Sequence, residues 1–306
     1  MPLVDLPGGT PPQPLPAIGY SPTVISALRP WTWLHRLPGA VWKEASQVAS
    51  RGWRAWPTLV AIARVDFRKR YAGSVLGMLW YPLHSGLLLA MYCFVYMVVF
   101  SQRLPEMGKY DFVLFIFAGL VPYLAFSEAV TSSIAGVKSS LALLRNTVFP
   151  IELVPVKNVL VSLAASATTL LILLLLVIPT RHFGWHILTI PVPLVMLALL
   201  CLAAVWSLSA VAALVPDVSY LVNIVVLMLV FLSPIGFTLE QVPPQAQFVV
   251  LFNPLSYVID SFRYALLGTR SLPWHTDLWF LLVASVAAAT AAAFYRRLMP
   301  LFADHE

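Results

Sequence analysis

Apolar residues in this chain fall into long, nearly unbroken blocks separated by short polar stretches. A membrane span needs roughly 20 apolar residues. By that measure Leu76–Phe100, Phe112–Ile134, Val154–Ile178, Ile187–Val215 and Leu278–Tyr295 predict five spans. A further block, Leu221–Ile235, is shorter and runs into Pro234, Pro243 and Pro244, which predicts a broken or re-entrant end. The stretch Val249–Leu267 is half apolar and interrupted by Asn253-Pro254, Asp260 and Arg263, too polar to span but suited to short helices dipping into the outer interface. Ahead of the first span the periodicity changes. Trp56, Leu59, Val60, Ala63, Phe67 and Tyr71 recur on one helical face, while Arg64, Arg68 and Lys69 point elsewhere. With Pro57 suited to a first helical turn, this predicts an amphipathic helix over 54–73 lying on the membrane surface and turning through glycines into the first span. The expected fold is therefore all-α and membrane-embedded, with six spans over 74–299, a surface helix and short outer helices.

Composition agrees. Of 306 residues, 60% are hydrophobic and only 10% charged, against about a quarter in soluble domains. The net charge of +6 could point to nucleic acid, but the cations sit beside apolar blocks, where anionic lipid is the natural partner. With six spans and the N-terminus inside, the inner flanks hold Arg51, Arg54, Arg64, Arg68, Lys69, Arg70, Lys138, Arg145, Lys157, Arg296 and Arg297. The outer flanks hold only Arg103, Lys109, Arg181, Arg263 and Arg270, so both termini are expected in the cytoplasm. Residues 1–53 read as a proline-rich tail and linker without a signal-peptide pattern, and 300–306 as a short cytoplasmic end. Cys93 and Cys201 lie inside apolar blocks and read as buried thiols.

Little in the chain suggests catalysis. It has no phosphate-cradling Gly-x-x-x-x-Gly-Lys-Ser/Thr, no His-Glu-x-x-His, no Gly-x-Ser-x-Gly and no Cys-x-x-Cys. His182 and His186, in an outer loop, read as a solvated pair rather than a metal site. Glu128, near the inner end of the second span and within reach of a basic residue of the surface helix, is the one isolated carboxylate found in a span, which disfavours a proton-coupled carrier. The first span carries a polar stripe: Tyr81, Ser85, Tyr92 and Tyr96 lie within roughly 60° at 100° per residue, with Phe100 continuing the line. Phenols facing lipid would lack partners, so the stripe marks either interhelical packing or a wet conduit whose stacked rings let sugar faces slide. Asn223 in the short span suits either. Between the second and third spans, residues 137–148 predict a cytoplasmic amphipathic helix stopped by Pro150, whose leucines need a partner groove.

Several motifs then line up in order: Arg70-Tyr71-x-x-Ser74-x-Leu76-Gly77-x-Leu79-Trp80, Ala118-Gly119-Leu120-Val121-Pro122-Tyr123, Phe126-Ser127-Glu128, Leu144 to Phe149-Pro150, Ser233-Pro234-Ile235, and Asn253-Pro254-Leu255 with Phe262-Arg263 and Gly268. Over roughly Trp56 to Tyr295 the chain resembles the permease subunits of type-2 ABC exporters for polysaccharides, of the O-antigen, capsule and teichoic-acid type. The resemblance implies a homodimer in the bacterial inner membrane with two copies of a separate cytoplasmic ABC ATPase. ATP and Mg would bind that partner, with no cofactor or nucleic acid on this chain. It further implies a lipid-linked glycan cargo and a conduit along the dimer interface, with Tyr81, Ser85, Tyr92, Tyr96, Phe100 and Asn223 as lining. Arg64, Arg68, Lys69 and Arg70 would hold headgroups or the cargo's pyrophosphate. Leu141, Leu144, Arg145 and Asn146 would couple to the ATPase. An outer gate over 239–268 would include Asn253, Pro254 and Arg263. The chain departs from the family at the fourth-to-fifth turn, where Pro216-Asp217 stands in place of Arg-Asp, and at Tyr123, where a Trp is frequent. A drug or lipid efflux permease is the alternative within the superfamily; a membrane glycosyltransferase or an inert scaffold are rivals outside it.

Overall fold

The structure, a computed structural model, describes residues 46–47, 50–70, 73–99, 108–135, 153–215 and 217–298. All belong to one unit, Val41–Glu306. Expectations for the tail over 1–45, for Phe100, for the helix over 137–148 with Leu141, Leu144, Arg145 and Asn146, for Pro216 and for 300–306 lie outside the described residues.

The surface helix α1 is Trp56–Arg70. Residues 50–53, expected as linker, are already helical, and Leu59 N–H bonds Ala55 O at 2.8 Å across the turn between the two pieces. After α1 come two glycines with left-handed backbone, Gly73 (φ 81°) and Gly77 (φ 52°). No heavy atom lies within 4 Å of where either Cβ would sit, so backbone conformation rather than crowding demands glycine at this hinge. The Trp80 indole N–H bonds Ser74 Oγ at 2.7 Å and closes the corner.

The spans follow as α2 (Trp80–Cys93, continuing as π-helix Phe94–Val99), α3 (Lys109–Ala135), α4 (Leu153–Val177) and α5 (Pro191–Leu214, entered through a 3-10 turn Trp185–Thr189). Next come α6 (Val218–Leu232), two short helices α7 (Gln247–Phe252) and α8 (Pro254–Leu267), and α9 (His275–Leu298). Among the described residues no strand occurs. Five helices among the described residues are long and apolar enough to cross a membrane. The sixth expected span, α6, has 15 residues, so at 1.5 Å per residue it covers roughly 22 Å of a ~30 Å hydrocarbon core. Its C-terminal residues therefore need other protein groups around them.

Helix α3 is the hub. Leu114, Phe115, Ile116, Ala118, Leu120, Ala125 and Ala129 are fully buried, because α2, α4, α5, α6 and α8 all pack on it. By contrast α2 and α6 turn long apolar faces outward, including Leu87, Met91 and Phe94 on one, and Leu227 and Phe231 on the other. Helix α9 packs on α5 through small residues: Ala288, Ala291 and Ala292 close against Trp206 and Ala210, the near approach that small side chains permit in lipid. At the opposite end from α7 and α8, α1 rests on the start of α4, where Lys157 pairs with Asp66.

Candidate functional site

The C-terminal end of α6 poses a hydrogen-bonding problem set by sequence. In a helix the carbonyl of Val230 would accept from the N–H of residue 234, but residue 234 is proline and has none. The Tyr92 hydroxyl of α2 donates to that oxygen at 2.7 Å. One turn earlier the Tyr123 hydroxyl of α3 donates to Val226 O at 3.0 Å. Beyond the helix, Asn253 Nδ2 donates to Ser233 Oγ at 2.9 Å, while its Oδ1 accepts the N–H of Leu255 at 3.0 Å as the N-cap of α8. Pro254 occupies the first turn of α8, where a missing N–H costs nothing.

Arg263 completes the closure. It is 3% exposed, and its Nη2 donates to Pro234 O at 2.6 Å and Ile235 O at 2.8 Å. The guanidinium also stands 3.4 Å from the centroid of the Phe115 ring. A cation at a helix C-terminus meets the negative end of its dipole, so charge, ring and carbonyls cooperate. Burial pulls Arg263 down to about 9, the Asp260 carboxylate working against the fall, and the side chain stays charged at neutral pH. Asp260, one turn before, accepts from the backbone N–H of Ser271 (2.8 Å) and Leu272 (3.2 Å) and lies 3.6 Å from Arg270. Burial, the largest influence, pushes its carboxyl above the ordinary 3.8, against those two N–H groups and the Arg270 and Arg263 cations. Arg270 pairs in turn with Asp277 at the start of α9. The predicted gate residues Asn253, Pro254 and Arg263 thus fall in one network joining α6, α8 and α9.

The turn after α6 is also tight. A Cβ on Gly236 would sit 2.5 Å from the Tyr96 ring, so only glycine lets that ring approach. Tyr96 stacks on Tyr92 (centroids 5.9 Å, 11°) and meets Phe112 edge-on. His182 and His186 correct the expectation of a solvated pair. His182 lies with Nδ1 3.0 Å from Leu267 O and Nε2 3.1 Å from Asp111 Oδ1, and His186 Nδ1 is 3.2 Å from Ala265 O. Both pin the loop between α4 and α5 to the end of α8, whose last carbonyls would otherwise lack donors. Among the described residues no group of three His, Cys, Asp or Glu side chains converges as a metal site.

The tyrosine stripe faces into the bundle, opposite the exposed face of α2. Ser85 is fully buried, bonded to Tyr81 O at 2.7 Å and Thr169 Oγ1 at 3.0 Å on α4. Tyr92 is buried against α6, while Tyr81 and Tyr96 are half-buried. Asn223 lies on the exposed face of α6, apart from the stripe, with Tyr220, Leu227 and Phe231. Arg64, Arg68 and Lys69 are exposed on α1; nothing is described of the Arg70 side chain. Sequence reasoning missed Tyr123, Gly236 and the charges around Asp260. Pro234, four residues after Val230, was the readable signal that a donor had to arrive from elsewhere.

Comparison with known proteins follows the same line. The family described as ABC-2 type transporter matches residues 58–267. The O-antigen export system permease protein RfbA of Myxococcus xanthus is 25% identical over 238 residues, covering 77% of this chain and 89% of that protein. A protein of the same name from Klebsiella pneumoniae is 24% identical over 246 residues, 72% of this chain and 85% of its own length. The polysialic acid transport protein KpsM of Escherichia coli is 24% identical over 212 residues, covering 69% and 81%.

Proposed function

Since this chain belongs to the ABC-2 type transporter family, we propose that it is the membrane subunit of an ATP-driven exporter carrying a lipid-linked polysaccharide, such as O-antigen or capsule, across the bacterial inner membrane. The observation that carries the reading is the reach of the likeness. Relatives named for O-antigen export or polysialic acid transport align over two-thirds or more of this chain, and the family match runs from the surface helix to the short helices. On this reading two copies associate, each engages a cytoplasmic ABC ATPase that binds ATP and Mg, and both termini are cytoplasmic.

The outward apolar faces of α2 and α6 supply the surface for the second copy. Asn223 borders the conduit at that seam, while Tyr81, Ser85, Tyr92 and Tyr96, facing into the bundle, brace its wall from behind. Phe100 would extend the lining, and Leu141, Leu144, Arg145 and Asn146 would carry the ATPase stroke. The network around Asn253, Pro254 and Arg263 closes the outer end, because hydrogen bonds tie the broken end of α6 to α8, and Asp260 and Arg270 link α8 to α9. Arg64, Arg68, Lys69 and Arg70 meet lipid headgroups or the cargo's pyrophosphate at the inner surface.

Deleting the gene tests this directly. Surface polysaccharide should disappear while its lipid-linked form accumulates inside the cell. Unchanged surface glycan with altered sensitivity to drugs or detergents would transfer the chain to efflux.

A further inference from the structure

Where α1 rests on α4 the two helices leave an open groove of about 300 Å3, lined by Trp56, Val60 and Phe67 on one side and Leu160 and Ala164 on the other, with Arg64 at its edge. We propose that this groove is a phospholipid site, seating one acyl chain of an anionic glycerophospholipid whose phosphate is held by Arg64 and Arg68. The proposal narrows the role given above to these two arginines, from headgroup or pyrophosphate to headgroup alone. It rests on α1 lying at the membrane surface, and not on the identity of the cargo.

Charge is the first support. At 100° per residue Trp56, Val60 and Phe67 fall within about 40° of one another on α1, Arg64 follows about 40° further round, and Arg68 about 40° beyond that. The apolar lining therefore passes directly into a cationic ridge. Asp66, the one acid of α1, is turned to the other side, where Lys157 of α4 neutralises it. Arg64, Arg68 and Lys69 have no carboxylate partner among the described residues. The groove mouth is thus positive and offers donors to a phosphate, and a Trp at the same level suits the headgroup boundary.

The path of the chain is the second support. Leu160, Ala164, Ala167, Leu171 and Leu175 lie within about 80° on α4, and from Ala164 onward they are exposed, so the groove opens into an apolar stripe running up the helix. From Leu160 to Leu171 the rise is roughly 16 Å, about half of a ~30 Å hydrocarbon core and so one leaflet. A soluble peptide would not need a track of that length and polarity. An acyl chain does.

The test uses the full-length protein in liposomes containing either brominated phosphatidylglycerol or brominated phosphatidylcholine at equal mole fraction. Fluorescence of Trp56 is isolated by subtracting the signal of Trp56→Phe. The brominated anionic lipid should quench Trp56 preferentially, by roughly fivefold in apparent affinity for each arginine engaged. In the Arg64→Gln/Arg68→Gln double variant that preference should vanish while both lipids still quench, which shows that α1 remains seated at the bilayer. Equal quenching in the wild-type protein, or a preference unaltered by the double substitution, overturns the proposal. So does recovery of fluorescence on adding a polyprenyl pyrophosphate, which would give the groove to the cargo lipid, and so does a Trp56 that neither lipid quenches. A chain that exports no glycan would still show the preference, so this result stands apart from the export reading.

Discussion

Tyr92 and Arg263 do related work from different helices: each supplies donors to carbonyls that the break at Pro234 leaves open. Tyr92→Phe keeps the ring stack on Tyr96 but leaves Val230 O unpaired, a loss of about 1 kcal/mol. Thermal unfolding in detergent should then fall by roughly 2–4 °C. Arg263→Leu removes a buried cation from two carbonyls and from the neighbourhood of Asp260, a loss of about 3–5 kcal/mol. Its melting should fall by several times as much as that of Tyr92→Phe, and Arg263→Lys, which keeps the charge without the fork, should lie between. Asp260 gives a pH signature. Its carboxyl is held above the ordinary 3.8 by burial, so the folded protein takes up its proton before the unfolded chain does. Stability of the wild-type protein relative to Asp260→Asn should therefore rise as pH falls from neutral towards 3.8. A melting series across that range in which the difference stays flat would remove the argument. Of these residues, the sequence showed that Asn253, Pro254 and Arg263 interrupt an apolar stretch. It did not show their partners, since a carbonyl left open by proline is visible in the chain but the side chain that fills it arrives from 138 residues away, as Tyr92 does for Val230.

The helices themselves were legible because apolar run length decides them. The six expected spans and the helices observed differ at their ends by a few residues, and the shortness of α6 was implied by the prolines behind it. Which way each helix faces was less legible. The tyrosine stripe on α2 was read as one face, yet a helical wheel cannot say whether a face meets lipid, a second copy or the bundle. In the structure it meets α3, α4 and α6. The π-helical stretch Phe94–Val99 also shifts the register beneath Tyr96, which periodicity at 100° could not foresee. The histidines show the same limit: their spacing suggested a polar loop, whereas the backbone ends of α8 drew them in. At this scale Gly236 offers a coupling test. Gly236→Ala should destabilise by crowding Tyr96, and the loss should be largely absent in a Tyr96→Ala background, because the ring atoms the Cβ would strike are then gone. Additive losses in that double-mutant cycle would mean the two elements do not press on each other.

For the molecule as a whole, the central claim is that the chain is one half of a passive path, closed at one end by the buried network of α6, α8 and α9 and driven by a separate nucleotide-hydrolysing subunit. Outward apolar faces on α2 and α6, and a short helix whose broken end is held by neighbouring side chains, are what such a half would present. The measurement that bears on it most directly is transport in sealed vesicles holding this chain with and without its ATPase partner, with a lipid-linked glycan as cargo. The account predicts glycan movement only when the permease, the partner and hydrolysable ATP are all present, and none with the permease alone at any ATP concentration. Movement by the lone chain, or ATP-driven movement of the partnered complex that ignores the glycan, would contradict it.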